Sequence, residues 1–357
     1  MSGFLSYRYR EIEPYTAGEQ PQDRQYIKLN TNESPFPPSP KAVEAVTKAA
    51  VEGLKLYSDP VSRKLRKAIA AFWGLDESEV VATNGSDEAL ALAFIAYCGG
   101  GEGIASPDIS YGFYPVLCGL LGLDNEVIPL KEDFTIDVDA FCATKNHVVL
   151  ANPNAPTGLA LSLAQMERIL VANPDRIVIV DEAYIDYGGQ SCIPLIPKYN
   201  NLIVVQTFSK SRSLAGARIG FAAGQKTLMK DLDKIRDSLN PYNINTLSER
   251  IGVAAVEDKN YLEACVAEIV KTRAYTANAL QKLGFEVLPS IANFLFARHP
   301  KLTGKQYYLA LKKEGVLVRH FDKDRIRDFA RISIGSREEM EILLEKTEKI
   351  LKGEIAL

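Results

Sequence analysis

Between residues 80 and 224 the chain alternates short apolar, β-branched runs with amphipathic stretches. Strands buried on both faces read as near-continuous apolar runs, and parallel neighbours need a crossover long enough to hold a helix. The alternation therefore predicts an α/β unit, a mostly parallel sheet covered by helices. Seven strands are expected, at EVVATNG, GEGIASP, NEVIPL, HVVLANP, RIVIVDEAY, NLIVVQTFSK and RIGFAAG, each followed by polar or glycine-rich punctuation. Helices are predicted over SRKLRKAIAAFWG, DEALALAFIAYC and SLAQMERILVAN, with Gly or Asn near their ends as stop signals.

The flanks read differently. Residues 1–45 are rich in proline and turn residues (TNESPFPPSP), which predicts an extended arm lying over another surface of the chain or of a partner subunit. Residues 46–258 form the larger unit. Residues 259–357, with a long helix, the strand-like NFLFAR, VLVRHF and ARISIGS and a charged last helix, form a smaller α+β unit. A chain of 357 residues has the length of about two domains. Its net charge of -3 gives no footprint for nucleic acid or an anionic membrane, so an anionic ligand must be met by local positive groups. The opening MSGFLSYRYREIEPY lacks the apolar core of a signal peptide, and no apolar run approaches the ~20 residues that span a bilayer. A cytoplasmic protein is expected. The five cysteines form no CxxC pair and read as reduced core thiols, and the three histidines lack metal-ligand spacing, so no metal site is expected.

Open α/β sheets bind ligands beyond the carboxyl ends of their strands. NLIVVQTFSK runs from apolar residues straight into Ser209 and Lys210, and Gly216, Arg218 and Gly220 follow. A lysine at a strand end is most often a solvated terminus. Here a hydroxyl and a guanidinium flank it in a pattern suited to phosphate, and the glycines allow close backbone approach. The segment reads as a phosphate-plus-amine site. One strand earlier, RIVIVDEAY puts Asp181 at a depth where an ionised carboxylate needs a cationic partner such as a protonated pyridine nitrogen; the alternative is a helix N-cap. Tyr184, three residues on, is placed to reach a ring hydroxyl.

The segments TFSK...LAGARIG, VDEAY, NPNAPTG, TNGSDEAL and ARISIG, in this order, resemble the fold-type-I pyridoxal-phosphate aminotransferases across nearly the whole chain. The narrower likeness is to histidinol-phosphate aminotransferases, through EPYTAG, LNTNESP, LYSDP, and Arg319 in VLVRHF with Arg331 in ARISIG. The resemblance implies pyridoxal 5'-phosphate as cofactor, held by Lys210, with Asp181 facing the pyridine nitrogen and Tyr184 donating to the ring oxygen. It makes Ser86 and Asp87, at the start of a helix, the phosphate cradle through their backbone N–H groups, completed by Ser209 and Arg218. Tyr111 is implied to stack on the ring. Tyr57 is implied to reach the phosphate of a partner subunit's cofactor, hence a homodimer with shared sites; otherwise it is an ordinary surface tyrosine. Where many relatives carry Asn directly before Pro-Thr-Gly this chain has Ala155, which leaves Asn154 as the nearest amide for the ring oxygen.

The same resemblance gives the far end of the substrate to Arg331, Arg319, Tyr15 and Asn32. Two guanidiniums can grip a phosphate, which points to L-histidinol phosphate as amino donor and 2-oxoglutarate as acceptor, both half-reactions using one site. The alternative for the arginines is solvent-facing ion pairing. Threonine-phosphate decarboxylation and aromatic amino-acid transamination use the same scaffold and stay open at this stage. A transcription regulator that fuses this fold to a DNA-binding head is disfavoured, because no basic winged-helix segment of about 60 residues precedes the fold.

Overall fold

The computed structural model describes residues 4–355. All seven anticipated strands form one sheet: β2 (Val80–Thr83), β3 (Ile104–Pro107), β4 (Asn125–Ile128), β5 (His147–Ala151), β6 (Val178–Asp181), β7 (Leu202–Thr207) and β8 (Gly220–Gly224), preceded in the chain by β1 (Ile27–Leu29). Their order is β2-β8-β7-β6-β5-β3-β4, parallel except for β8, which runs antiparallel to both neighbours. Every residue of β5, β6 and β7 is buried, which is why these segments are apolar without alternation. At the edge, β4 carries Asn125 and Glu126 and exposes Val127. The helices start and stop on local chemistry. Arg63–Trp73 ends at Gly74 with φ +71°, and Ser162 caps Leu163–Ala172 while Gln165 returns a bond to the Ser162 backbone.

A second, five-stranded sheet is ordered β1-β11-β12-β10-β9, from β9 (Glu286–Val287), β10 (Phe294–Arg298), β11 (Val316–His320) and β12 (Phe329–Ser333). The helices Lys259–Lys282, Gly304–Lys313 and Arg337–Leu351 accompany it. The arm departs from the expectation of a purely extended loop, because Ile27–Leu29 pairs in parallel with Val316–Val318 and becomes an edge strand of this sheet. Three residues are too short for a periodicity signal to register. Just beyond β1 the Asn32 backbone N–H donates to the Ser333 hydroxyl of β12 and its side-chain amide to Tyr184, three residues past β6.

The cleft between the sheets depends on one close approach. A Cβ on Gly220 would fall 2.6 Å from both the Gly85 carbonyl carbon and the Ser86 nitrogen, so only glycine lets β8 lie directly beneath the start of the helix Ser86–Tyr97. The opposing atoms are backbone and have no rotamer to change. Gly220→Ala is therefore expected to lower stability by about 1–3 kcal/mol, the cost of overpacking, read as a lower urea midpoint with an unchanged slope.

Candidate active site

A cleft of about 880 Å³ opens at the carboxyl ends of β6 and β7 and is walled by the arm and by β11 and β12. Asp181 ends β6 and is 4% exposed. Its Oδ2 accepts from the Tyr114 hydroxyl at 3.0 Å and its Oδ1 from the Ala183 N–H at 3.2 Å. Burial pushes its carboxyl up to about 6; the Tyr114 hydrogen bond opposes this, Asp87 adds to it, and Lys210 opposes it. Glu182 alternates to the opposite face of the strand, where Ser191, Gln206 and the Cys192 N–H hold it away from the cleft.

Lys210 follows β7, and its Nζ donates to the Thr31 carbonyl at 3.1 Å and lies 5.9 Å from the Tyr184 ring centre. Burial, and next the Arg331 cation, push the amine down to about 8; Glu33 and Asp87 pull the other way. The loop after Lys210 is tied down at three points. Ser211 and Arg212 both bond to Asp186, and the Ser213 hydroxyl donates to Ser34 at 2.8 Å. Asn32, with φ +56°, donates from its amide to the Tyr184 hydroxyl at 3.0 Å, which leaves the phenolic proton free to be given elsewhere.

At the other end the helix Ser86–Tyr97 begins at Gly85 with φ +80°, and no side chain among the described residues caps it. Uncapped N–H groups at a helix start favour an anion. Ser209 and Thr207 stand beside it with their hydroxyls 3.0 Å apart, and the Arg218 guanidinium faces Gly85 so closely that a Cβ there would meet it at 2.8 Å. The Asp87 carboxylate holds Arg218 at 3.1 Å and accepts from the Tyr111 hydroxyl at 2.9 Å. Uncapped donors, two hydroxyls and a guanidinium at one end, and a buried carboxylate lacking an ion-pair partner among the described residues at the other, fit a ligand that joins a phosphate to a basic ring. Pyridoxal phosphate is such a ligand.

The substrate side is equally specific. Arg319 and Arg331 are direct partners across β11 and β12. Arg331 donates to the Asn30 carbonyl at 2.9 Å and lies between Phe294 and Phe321, while its buried Nε has no partner among the described residues. Arg319 is already engaged, since its two terminal nitrogens donate to the carbonyls of Ala17 and Thr16 on the arm at 3.2 and 3.1 Å. Beside it Tyr15 meets Tyr111 edge-on at 5.7 Å.

Two expected residues stand apart. Asn154 does not line the cleft: its amide donates to the Ile109 carbonyl at 2.9 Å and the Thr157 hydroxyl at 3.1 Å, and its oxygen accepts from Ser110. With both amide hydrogens engaged it has none for a ring oxygen, and the cleft wall carries Ala155 instead. Tyr57 is 84% exposed, stacks on Tyr242 and lies outside its own chain's cleft. Conversely, Thr207, Thr31, Glu33 and Tyr114 were not singled out from sequence. Thr207 could have been found two residues before Ser209 on the same strand face; a tyrosine on a helix carries no comparable signal.

The chain belongs to the aminotransferase class I and II family, whose profile matches residues 24–346. Within that class it is 48% identical to a histidinol-phosphate aminotransferase of Clostridium botulinum over 98% of this chain and 99% of the relative. It is 47% identical to one of Brachyspira hyodysenteriae over 99% and 100%. The fold matches the crystal structure of histidinol-phosphate aminotransferase from Sinorhizobium meliloti in complex with pyridoxal-5'-phosphate, with a TM-score of 0.84 and 24% identity over 92% of each chain.

The depressed Lys210 amine has a direct readout. In cofactor-free protein whose lysines are reductively methylated with a carbon-13 label, one resonance missing from Lys210→Ala should titrate near pH 8, well below the surface lysines. Because Arg331 disfavours the charged amine, Arg331→Gln should move that midpoint upward.

Proposed function

We propose that this aminotransferase moves the amino group of L-histidinol phosphate to 2-oxoglutarate, giving imidazole acetol phosphate and L-glutamate, a step of histidine biosynthesis, with pyridoxal phosphate as cofactor. The observation that carries the reading is one cleft holding a depressed lysine amine, an open anion cradle and two arginines in register. Near-complete coverage of histidinol-phosphate aminotransferases at close to half identity supports it.

When bound, the cofactor supplies a carbonyl for the amino group and a ring that withdraws electrons from the adjacent carbon. Lys210 would hold it and, with its amine free, would take the proton from the amine-bearing carbon of the substrate, a role suited to an amine poised near neutrality. Asp181 would meet the ring nitrogen, Tyr111 would cover the ring, and Tyr184 alone would donate to the ring oxygen, because Asn154 is engaged elsewhere. The backbone N–H groups of Ser86 and Asp87, with Ser209 and Arg218, would hold the cofactor phosphate. Arg331 receives the substrate's phosphate or the distal carboxylate of 2-oxoglutarate. Arg319 serves that anion while fastening the arm, and Tyr15 and Asn32 close the remaining sides.

The working division is an arm, 1–45, a cofactor-binding unit, 46–258, and a small unit, 259–357. The reading includes a homodimer. Tyr57 sits among the exposed Leu54, Leu56 and Val51, an apolar strip suited to a second subunit, from which Tyr57 reaches the partner's cofactor phosphate. No helix among the described residues is long and apolar enough to cross a membrane, and five free cysteines suit the reducing cytoplasm.

Purified enzyme should form glutamate from histidinol phosphate and 2-oxoglutarate, and unphosphorylated histidinol should react poorly. Arg331→Ala should lose about 2–5 kcal/mol of transition-state stabilisation in kcat/KM, the scale of breaking a buried anion contact. Release of carbon dioxide from threonine phosphate, with no keto product from histidinol phosphate, sinks the assignment. For the dimer, inactive Lys210→Ala chains mixed with impaired Tyr57→Ala chains should regain turnover, because each hybrid contains one undamaged site. Absence of complementation, or a fully active monomer in sedimentation, removes Tyr57 from a shared site.

A further inference from the structure

Tyr111 and Tyr114 lie three residues apart at the start of the helix Phe113–Leu121, and each hydroxyl donates to a different acid of the cleft, Tyr111 to Asp87 and Tyr114 to Asp181. Tyr114 is 0% exposed, its ring meets that of Tyr111 edge-on at 5.7 Å, and its hydroxyl approaches the Asp181 carboxylate at 3.0 Å. The turn that leads into the helix, closed by the Tyr114 N–H on the Tyr111 carbonyl at 3.2 Å, joins these two sites. It presents one ring to the cleft while sending the other hydroxyl to the end of β6. A second geometric fact gives the contact its purpose. Asp181 has no ion-pair partner among the described residues, and the Tyr114 hydroxyl and the Ala183 N–H donate to its two oxygens.

We propose that Tyr114 is a positioning residue for the reaction, holding Asp181 ionised and fixing its Oδ2 so that Oδ1 is presented to a cationic ring nitrogen. The inference rests on the reading of Asp181 as the partner of that nitrogen. A hydroxyl that donates to a carboxylate stabilises the charged form, and a buried carboxylate without it takes up a proton and loses its attraction for a cation. The other groups that face Asp181 do not substitute. Asp87 lies on the helix above and repels it, Lys210 beyond β7 attracts it from a distance, and Tyr111 and Tyr184 are neutral phenols. Since Asp181 already sits near 6, removing one donor moves its protonation into the working range of pH.

The test is the affinity for pyridoxal phosphate as a function of pH, measured by equilibrium dialysis, in Tyr114→Phe, Asp181→Asn and the double variant. Phenylalanine keeps the ring and its packing, and urea unfolding of each variant reports any loss of fold. Tyr114→Phe is expected to bind about tenfold more weakly near neutral pH, the scale of one hydrogen bond to a charged group. The acid-side loss of binding should begin about one pH unit higher than in the parent. In the Asp181→Asn background the same tyrosine change should have no further effect, because no carboxylate remains to be held ionised. A merely structural tyrosine would weaken both backgrounds alike and leave the pH midpoint in place, which overturns the inference. If Asp181→Asn is impaired and Tyr114→Phe matches the parent, the positioning role alone fails. An Asp181→Asn protein with parental affinity overturns the site reading and the inference together.

Discussion

A carboxylate closing a strand that is otherwise entirely apolar is the constraint around which the cleft is organised. Asp181 is paired in register with Ala151 on one side and Val205 on the other, so no neighbouring strand offers it a charge. Transfer of an ion into such a setting is costly unless hydrogen bonds and a counter-charge meet it. The structure supplies the hydrogen bonds and leaves the counter-charge to a ligand. The helix that carries Tyr114 meets part of this demand, since the tyrosine hydroxyl donates to Asp181.

The buried groups of the cleft drift in opposite directions for one reason. Burial raises the proton affinity of Asp181 and lowers that of Lys210, and Arg331 deepens the second effect. Both groups move toward their neutral forms. A ligand that carries a basic ring would supply the cation that the Asp181 carboxylate lacks, and a phosphate on the same ligand would suit Arg218 and the uncapped helix start. The buried carboxylate at one end of the cleft and the cationic, uncapped helix start at the other thus match the charge pattern of pyridoxal phosphate.

The central strands β5, β6 and β7 could be read from sequence because their burial on both faces favours near-continuous apolar runs, and Lys210 and Asp181 stood out because they break that pattern at strand ends. What escaped has physical causes. Ile27–Leu29 takes its strand character from pairing with β11, a contact far along the chain that three residues cannot announce. Asn154 was the nearest amide to Ala155 by sequence, yet its side chain is drawn to Ile109 and Thr157. Arg319 and Arg331 were expected to share a substrate anion; their register puts them side by side, while the arm already occupies Arg319 through the carbonyls of Thr16 and Ala17. Tyr114 resembles any core tyrosine until the fold sets its hydroxyl against Asp181.

The reversed direction of β8 has a consequence for how the cleft is assembled. Parallel strands must be joined by a crossover that carries the chain over a sheet face, but an antiparallel neighbour is reached by a return loop. Residues 208–219 make that return, so Ser209, Lys210 and Arg218 belong to one short segment whose two ends pair as Thr207 with Gly220. Contacts close in sequence cost little chain entropy to bring together. Lys210 and Arg218 are therefore chain neighbours before the sheet is complete, whereas Asp181 and the start of the helix Ser86–Tyr97 must arrive from elsewhere. During folding the lysine and the arginine thus come together as a local property of one loop, and the complete cleft is a global property of the sheet.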